Sequence, residues 1–417
     1  MSFRALAFMA VFLTTIFLLD LYVFQGVRSL TATLQSVVTR RAVRWGYWIV
    51  SIGLPAMVFL GMFTMDRSKG FPPLLTWSAS LFISLFVTKI VFVAVLMGED
   101  VVRLVEGVVK RIQGTPEQTP FMPDRRKFVS QLALGLAAIP FTSFLYGITK
   151  GKYHYKVHRH TLYFKDLPEA FDGFTITQIS DVHSGSFDDP EAVQRGVDLA
   201  NDQRSDLFLF TGDLVNNQAT EFEPYQEMFK KISAPYGKFS ILGNHDYGDY
   251  VPWPSPEAKE ANMQRLYKYH ADAGFRLLRD EHVVLEKDGQ QLALLGVENW
   301  GLGFGERGDL KKAAQGLPQD TFKILMSHDP SHFDAQVKTF PNPIHLTLSG
   351  HTHGMQMGVE IPGFRWSPIK YRYPKWAGVY EDAGKILHIN RGFGFLGFSG
   401  RVGIWPEVTV LELRRRG

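Results

Sequence analysis

Five short blocks of this 417-residue chain each close an apolar run with polar side chains of metal-ligand type. They are Ser180-Asp181-Val182-His183, Thr211-Gly212-Asp213, Gly243-Asn244-His245-Asp246, His328, and Gly350-His351-Thr352-His353. Carboxylate, amide oxygen and imidazole are hard-to-borderline donors that suit Mn, Zn, Fe or Mg. The chain has no cysteine, which removes thiolate sites, a cysteine nucleophile and a disulfide framework. A set of seven (Asp181, His183, Asp213, Asn244, His328, His351, His353) is too large for one tetrahedral ion and fits two divalent metal ions sharing a bridge. Asp213 can bridge because a carboxylate has two oxygens. Two cations about 3.5–4 Å apart can acidify a water, clamp a phosphate oxygen and stabilise both ends of an in-line displacement.

Such residues must be carried to one place by the elements before them. Short β-rich runs are predicted at 174–179, 206–210 and 238–242, with helices at 190–202, 222–232 and 257–273 between and after them. From Gly274 strands dominate, at 283–286, 292–297, 323–326, 345–348, 385–389 and 408–413. Alternating β and α followed by strands predicts a layered α/β sandwich. In open α/β sheets ligands bind beyond the carboxyl ends of strands, where all five blocks sit.

The blocks, in this order and at strand ends, resemble the calcineurin-like metallophosphoesterase superfamily over about residues 155–415. Leu348-Ser349-Gly350-His351-Thr352-His353-Gly354 and Asn390-Arg391-Gly392 are most similar to its bacterial membrane-anchored or twin-arginine-exported branch. The resemblance implies a four-layer α/β/β/α sandwich that hydrolyses phosphate mono- or diesters. It implies one metal on Asp181, His183, Asp213 and His353 and a second on Asp213, Asn244, His328 and His351. His245 would donate a hydrogen bond or proton toward the phosphate or its leaving oxygen, and Asp246 would orient its neighbours. Two departures stand out. Many relatives have an acid three residues after the bridging Asp, able to orient the catalytic His; here Asn216 leaves the imidazolium less stabilised. A second Gly after Gly354 is replaced by Met355.

The first third is of another kind. Four segments, about 5–24, 45–65, 74–97 and 128–147, are long and apolar enough to cross a bilayer, which needs about 20 residues. They divide the chain into a transmembrane helical region at 1–150 and a catalytic domain at 151–417. The first segment has no cleavage site after it, so a signal peptide is the weaker reading. Arg28, Arg40, Arg41 and Arg44 follow the first span; Arg103, Lys110, Arg111, Arg125, Arg126 and Lys127 precede the fourth. Arg4, Arg67 and Lys69 occupy the other side. The positive-inside rule then puts the large domain outside the bacterial inner (cytoplasmic) membrane. Asp124-Arg125-Arg126-Lys127 reads as a topology anchor and partly resembles a twin-arginine signal. Residues 114–123 read as a linker. Asp20 and Lys89, inside spans, are expected to pair.

The formal net charge of +4 is too small to argue for nucleic acid, and none is expected as a partner. His154, His158 and His160, with Lys156 and Arg159, read as a headgroup-facing or solvated strand. His270, His282, His332, His345 and His388 receive no role. Aromatic loops at 364–376 and 393–398 suit either a membrane interface or packing against the sandwich. A phosphate-ester substrate, on a lipid-linked carrier if the loops are exposed, follows from the hydrolase reading. The alternative is a non-catalytic metal-binding sensor or interaction domain tethered to a membrane bundle. The complete ligand set weighs against it.

Overall fold

The computed structural model describes residues 3–66, 72–113 and 123–416. The chain forms two compact units, one of Met1–Met65 with Phe71–Tyr146 and one of Asp66–Gly70 with Gly147–Gly417. The linker residues 114–122 and the basic residues Arg67 and Lys69 lie outside the described residues.

The first unit is built from helices α1 (Phe3–Thr31), α2 (Val37–Thr64), α3 (Pro73–Ile112) and α4 (Pro123–Thr149). Each contains a stretch long and apolar enough to cross a membrane. Ser36 caps α2 by accepting from Thr39 N–H at 3.2 Å, and Pro73 opens α3, where a missing N–H costs nothing. The helices outrun the apolar windows read from sequence, α3 by the most, at 40 residues. Beyond Met97 it continues as a charged helix with Arg103 3.7 Å from Glu99, since a helix need not stop where the hydrocarbon does.

Lys89 Nζ lies 2.6 Å from Asp20 Oδ1 and donates to Ser51 Oγ at 3.0 Å, while the Tyr47 hydroxyl donates to Asp20 at 2.8 Å. The intramembrane charges therefore neutralise and hydrogen-bond each other. Arg126 is held to Asp100 (2.5 Å) and Glu99 (3.1 Å), and Arg125 to Glu99 (3.2 Å). The twin arginines are thus engaged by α3 side chains.

The second unit runs β1 (Lys156–Phe164), β2 (Thr175–Ile179), α5 (Pro190–Asn201), β3 (Leu207–Thr211), α6 (Gln226–Lys230), β4 (Lys238–Ile241) and α7 (Pro256–Asp272). It continues through β5 (Arg276–Leu277), β6 (Glu281–Lys287), β7 (Gln290–Gly296), β8 (Trp300–Gly301), β9 (Gly305–Glu306), α8 (Leu310–Ala313), β10 (Phe322–Met326) and α9 (Ser331–Ala335). Last come β11 (Leu346–Ser349), β12 (Val359–Ile361), β13 (Phe364–Trp366), β14 (Gly378–Asp382), β15 (Lys385–Ile389) and β16 (Glu407–Arg415). Two six-stranded sheets result, ordered β1-β16-β2-β3-β4-β5 and β14-β15-β11-β10-β7-β6. The strands that carry the polar blocks are parallel to their site-bearing neighbours: β2 to β3, β3 to β4, and β10 to β11.

The period of two along each strand explains the layers. In β3, Leu207 and Leu209 face the other sheet and join Leu294, Ile324, Leu346 and Leu348 in one buried cluster. Phe208 and Phe210 face the opposite way and pack with Val193 and Val197 of α5, Phe229 of α6 and Leu266 of α7. On the far side Leu295, Leu325 and Leu387 meet Leu310 of α8 and Phe333 of α9. The order helices, sheet, sheet, helices is the four-layer α/β/β/α sandwich. Each fully buried Leu, Ile or Phe contributes roughly 1.5–3 kcal/mol, so the three clusters supply most of the driving force.

Sequence periodicity misplaces one feature. The helix expected over 222–232 is a 3-10 turn at Ala219–Tyr225 followed by the short α6, because Pro224 lacks the N–H an α-helix would use there. The basic run, read as a headgroup-facing or solvated strand, supplies the first half of β1, an edge strand with Lys156 and Arg159 exposed, paired in parallel with β16.

Candidate metal centre

The carboxyl ends of β2, β3 and β4 in one sheet and of β10 and β11 in the other open at the same end of the sandwich. Their loops are stitched to each other. Asp181 N–H donates to Gly212 O (2.9 Å), His183 N–H to Asp213 O (3.1 Å) and Gly350 N–H to His328 O (2.9 Å). His351 N–H donates across the two sheets to the Asp181 carboxylate at 3.0 Å. Gly350 permits that approach: a Cβ there would meet Ser180 Oγ at 1.9 Å and Asp181 Oδ2 at 2.3 Å.

The seven ligand candidates converge. Asp181, His183 and His353 present donor atoms within 4.8 Å of one another, and Asp213, His328 and His351 do the same. His353 Nε2 lies 3.2 Å from Asp181 Oδ1. Asp213 Oδ2 stands between the groups, 3.5 Å from His183 Nε2 and 3.1 Å from His328 Nε2. Its other oxygen, Oδ1, accepts from His245 N–H at 2.9 Å. Asp213 thus offers one oxygen, not two, to both groups. Asn244 Oδ1 sits 2.9 Å from His351 Nδ1, and its amide nitrogen donates to the Tyr250 hydroxyl at 2.8 Å.

These residues fit divalent cations. His183 Nε2 is buried with no hydrogen-bond partner, and His328 Nε2, also buried, faces only the Asp213 carboxylate at 3.1 Å. His351 Nε2 faces the Tyr373 hydroxyl (3.0 Å) and Asp329 Oδ2 (3.3 Å). If it carries the proton, the Nδ1 lone pair meets the lone pair of the Asn244 oxygen, a repulsion that a cation between them would relieve. Burial keeps His183 and His351 below the usual imidazole range, hence neutral and able to ligate. Burial disfavours the Asp181 and Asp213 carboxylates, yet His353 beside the first and His328 beside the second hold both ionised. Burial also opposes the His328 imidazolium, but Asp213 overcomes it and lifts that pKa to about 10. Without a cation, the Asp213–His328 pair holds a proton where a metal would sit.

His245 is half-buried. Its Nδ1 lies 2.9 Å from the backbone carbonyl of Asn216, which fixes Nδ1–H as a donor and leaves Nε2 available to the pocket. The Asn216 side chain is not on His245. Its Oδ1 lies 3.1 Å from His183 Nδ1 and accepts from Ser186 Oγ, while Glu221 receives the Asn216 N–H. The missing acid at position 216 therefore bears on a ligand candidate, His183, and not on the orientation of His245. Asp246 is fully buried and accepts from the backbone N–H groups of Asp213, Leu214, Val215 and Gly243 at 2.8–3.2 Å. It ties the β3 and β4 loops together and acts as a positioning residue. Burial and then the nearby Asp213 charge push its pKa up to about 7, and the backbone donors pull the other way.

Several participants carry no clear sequence signal. Asp329 and Tyr373 together hold His351 Nε2, and the Tyr373 hydroxyl donates to Asp329 at 3.1 Å. Arg401 is wholly buried, with Nη2 donating to the carbonyls of Arg391 (2.9 Å) and Gly392 (3.1 Å) and standing 3.3 Å from His353 Nδ1. Asp329 adjoins His328 and is findable by that adjacency. Tyr373 lies in the aromatic loop suited to a membrane, yet it and Trp376 are buried. Phe393, Phe395 and Phe398 are buried as well, so the second aromatic loop packs against the sandwich.

Residues 174–355 match the calcineurin-like phosphoesterase family, and residues 4–152 match a family described as probable calcineurin-like phosphoesterase, transmembrane domain. The metallophosphoesterase YkuE of Bacillus subtilis, itself uncharacterized, is 30% identical over 298 residues, 70% of this chain and 97% of the relative. The uncharacterized metallophosphoesterase YkoQ of the same organism is 26% identical over 68% of this chain and 99% of the relative. Phosphodiesterase YaeI of Escherichia coli is 26% identical over 70% of this chain and all of the relative. With the sandwich, the strand-end donor groups and the four apolar helices already described, the chain belongs to the calcineurin-like metallophosphoesterases, metal-dependent phosphoric ester hydrolases, in a form that carries a transmembrane domain.

Proposed function

We propose that the chain hydrolyses a phosphate mono- or diester at a pair of divalent cations, one held by Asp181, His183, Asp213 and His353 and the other by Asp213, Asn244, His328 and His351. The observation that carries this reading is Asp213 Oδ2, which faces His183 and His328 from opposite groups at 3.5 and 3.1 Å. Cations bound there supply the Lewis acidity and water activation that phosphoryl transfer needs. The chain's own residues do the rest. His245, anchored through Nδ1 to the Asn216 carbonyl, carries a proton on Nε2 to the departing oxygen. Asp246 keeps the Asp213 and Asn244 loops in register through four backbone donors. Tyr250, its ring tilted against His245 with centres 4.5 Å apart and its hydroxyl bonded to Asn244, walls the pocket.

The substrate we favour is a phosphate ester carried by a membrane lipid. Support comes from the four apolar helices, which keep the site near a bilayer. The similarity to YaeI supports a diester among the substrates. The arginines flanking the spans support a bacterial inner membrane with the catalytic unit on its outer side.

Full-length protein in detergent, loaded with Mn²⁺, should hydrolyse bis-p-nitrophenyl phosphate or p-nitrophenyl phosphate. Asn244→Ala and His351→Ala should each abolish turnover, and activity surviving both changes would remove the two-cation assignment. Protease added to spheroplasts, whose inner membrane is intact and outer face accessible, should clip the catalytic unit, and protection would reverse the orientation.

A further inference from the structure

A short hairpin of the second unit follows the His351–His353 loop and exposes apolar side chains. β12 and β13 pair in register Val359↔Trp366, Glu360↔Arg365 and Ile361↔Phe364. Strand alternation puts Val359, Ile361, Phe364 and Trp366 on one face and Glu360 with Arg365 on the other. In a surface hairpin the apolar face normally turns inward. Here three of its four residues face solvent, Val359, Ile361 and Phe364 being 43, 58 and 54% exposed, while Trp366 is half-buried and the charged Glu360 and Arg365 are exposed as well.

The charged face is the one held by protein. Glu360 pairs with Arg391 at 2.6 Å, and Arg391 with the buried Glu407 at 2.6 Å. The Arg365 guanidinium lies 5.2 Å from the ring centre of the buried Trp376. The hairpin cannot simply roll over to hide its apolar face, because that would tear out two charged contacts. Its base is fixed too, with Ser367 Oγ donating to Gly354 O (2.7 Å) and Gly358 N–H to Val402 O (2.9 Å).

We propose that the β12–β13 hairpin inserts its outer face into the lipid interface. The lipid occupant is favoured by three features. The chain carries four apolar helices that bring it to a bilayer. Exposed Lys370, Tyr371 and Arg372 follow the hairpin in the sequence, and exposed basic and aromatic side chains together with apolar ones match the headgroup boundary. Two three-residue strands also offer far less than the roughly 800 Å² per partner that a stable protein interface needs. Insertion would hold the loop of His351 and His353 beside the headgroup layer, although the hairpin's lipid contact does not depend on which ester the site cleaves.

The cysteine-free sequence gives a direct test. Full-length protein carrying Ile361→Cys, Phe364→Cys or, as control, Asp288→Cys in the exposed β6–β7 turn is labelled with an NBD fluorophore. It is then reconstituted into phosphatidylethanolamine–phosphatidylglycerol vesicles. Labels at 361 and 364 should be blue-shifted and quenched by acyl-chain nitroxides at least about threefold more than the label at 288, with iodide quenching in the reverse order. Iodide access at 361 and 364 equal to that at 288 would overturn the proposal. Shielding from iodide without nitroxide quenching would overturn it as well, assigning the face to a second copy or another protein.

Discussion

Tyr373→Phe isolates one oxygen atom in the support of the metal centre. The Tyr373 hydroxyl is 3.0 Å from His351 Nε2 and 3.1 Å from Asp329 Oδ2, in a side chain only 7% exposed. Burial and then the Asp329 carboxylate push the phenol well above its ordinary range, so it stays protonated and donates to Asp329. Removing it deprives His351 of one acceptor and Asp329 of one donor. Those two remain 3.3 Å apart and can close on each other. The loss should be about one net buried hydrogen bond, roughly 1–1.5 kcal/mol, which is about tenfold in cation affinity. Asp329→Ala removes the carboxylate that both groups face, leaving the hydroxyl proton without its acceptor and Nε2–H with the hydroxyl oxygen alone. Loss of such an outer partner typically weakens metal binding by roughly 10–100-fold, and this change should sit at the upper end. Calorimetric titration of the full-length protein with Mn²⁺ gives the affinities, and turnover of an aryl phosphodiester against Mn²⁺ concentration gives the matching activation curve. Tyr373→Phe should shift that curve while leaving turnover at saturating Mn²⁺ nearly unchanged. Unaltered Mn²⁺ affinity in Asp329→Ala, or a larger loss in Tyr373→Phe than in Asp329→Ala, would refute the reasoning.

Three other outcomes are expected. Burial lowers the His270 pKa to about 3 from 6.5, so between those values the unfolded chain binds a proton the folded one refuses, and stability falls as pH falls by about 1.4 kcal/mol per pH unit from this group; His270→Gln should flatten the acid limb of a thermal-unfolding series, and an unchanged slope would contradict the assignment. Asp246→Asn replaces an acceptor of four backbone N–H groups by a side chain with one acceptor oxygen and a competing donor, costing roughly 1–3 kcal/mol for each donor left bare; melting temperature and bound-metal stoichiometry should both drop. Lys89→Met leaves Asp20 buried and unpaired and should cost roughly 3–5 kcal/mol, whereas Asp20→Asn with Lys89→Met should recover most of the loss in a detergent-stability assay.

What the sequence disclosed and what it hid divide along a physical line. Strands such as β3, whose residues are all buried, announce themselves as apolar runs, and the polar block after each marks its carboxyl end. The Asp20–Lys89 contact was readable because an unpaired charge in a span is so costly that a partner is implied. The supports of the centre leave no such trace. Tyr373 approaches His351 from 22 positions away, inside a loop whose aromatic and basic content reads equally well as a membrane surface. Asn216 occupies the place of an acid, and only coordinates tell that its side chain serves His183 while its backbone serves His245. The exposed hairpin is hidden for a related reason: alternation shows which residues share a face but not whether that face is covered.

The backbone carries the same lesson further. Asp181, His183, Asp213, His351 and His353 all have φ between 47° and 69°, the left-handed region that side chains other than Gly rarely occupy. Five of the seven ligand candidates are therefore strained, at a cost of order 1–3 kcal/mol each. Asp and His tolerate this region better than most side chains, but residue type alone does not single out these positions. Each strand must end and turn its next side chain toward a common point, and a left-handed residue makes that turn within one position. The strain persists because the loops are overdetermined, by Asp246 on four amides, by His351 N–H on Asp181, and by Arg401 on the 391–394 carbonyls. A site assembled this way holds its donor atoms in place before any cation arrives, so little reorganisation remains to be done on binding. The strain and the buried supports are two aspects of one arrangement, and the groups least visible in the sequence keep the most visible ones in position.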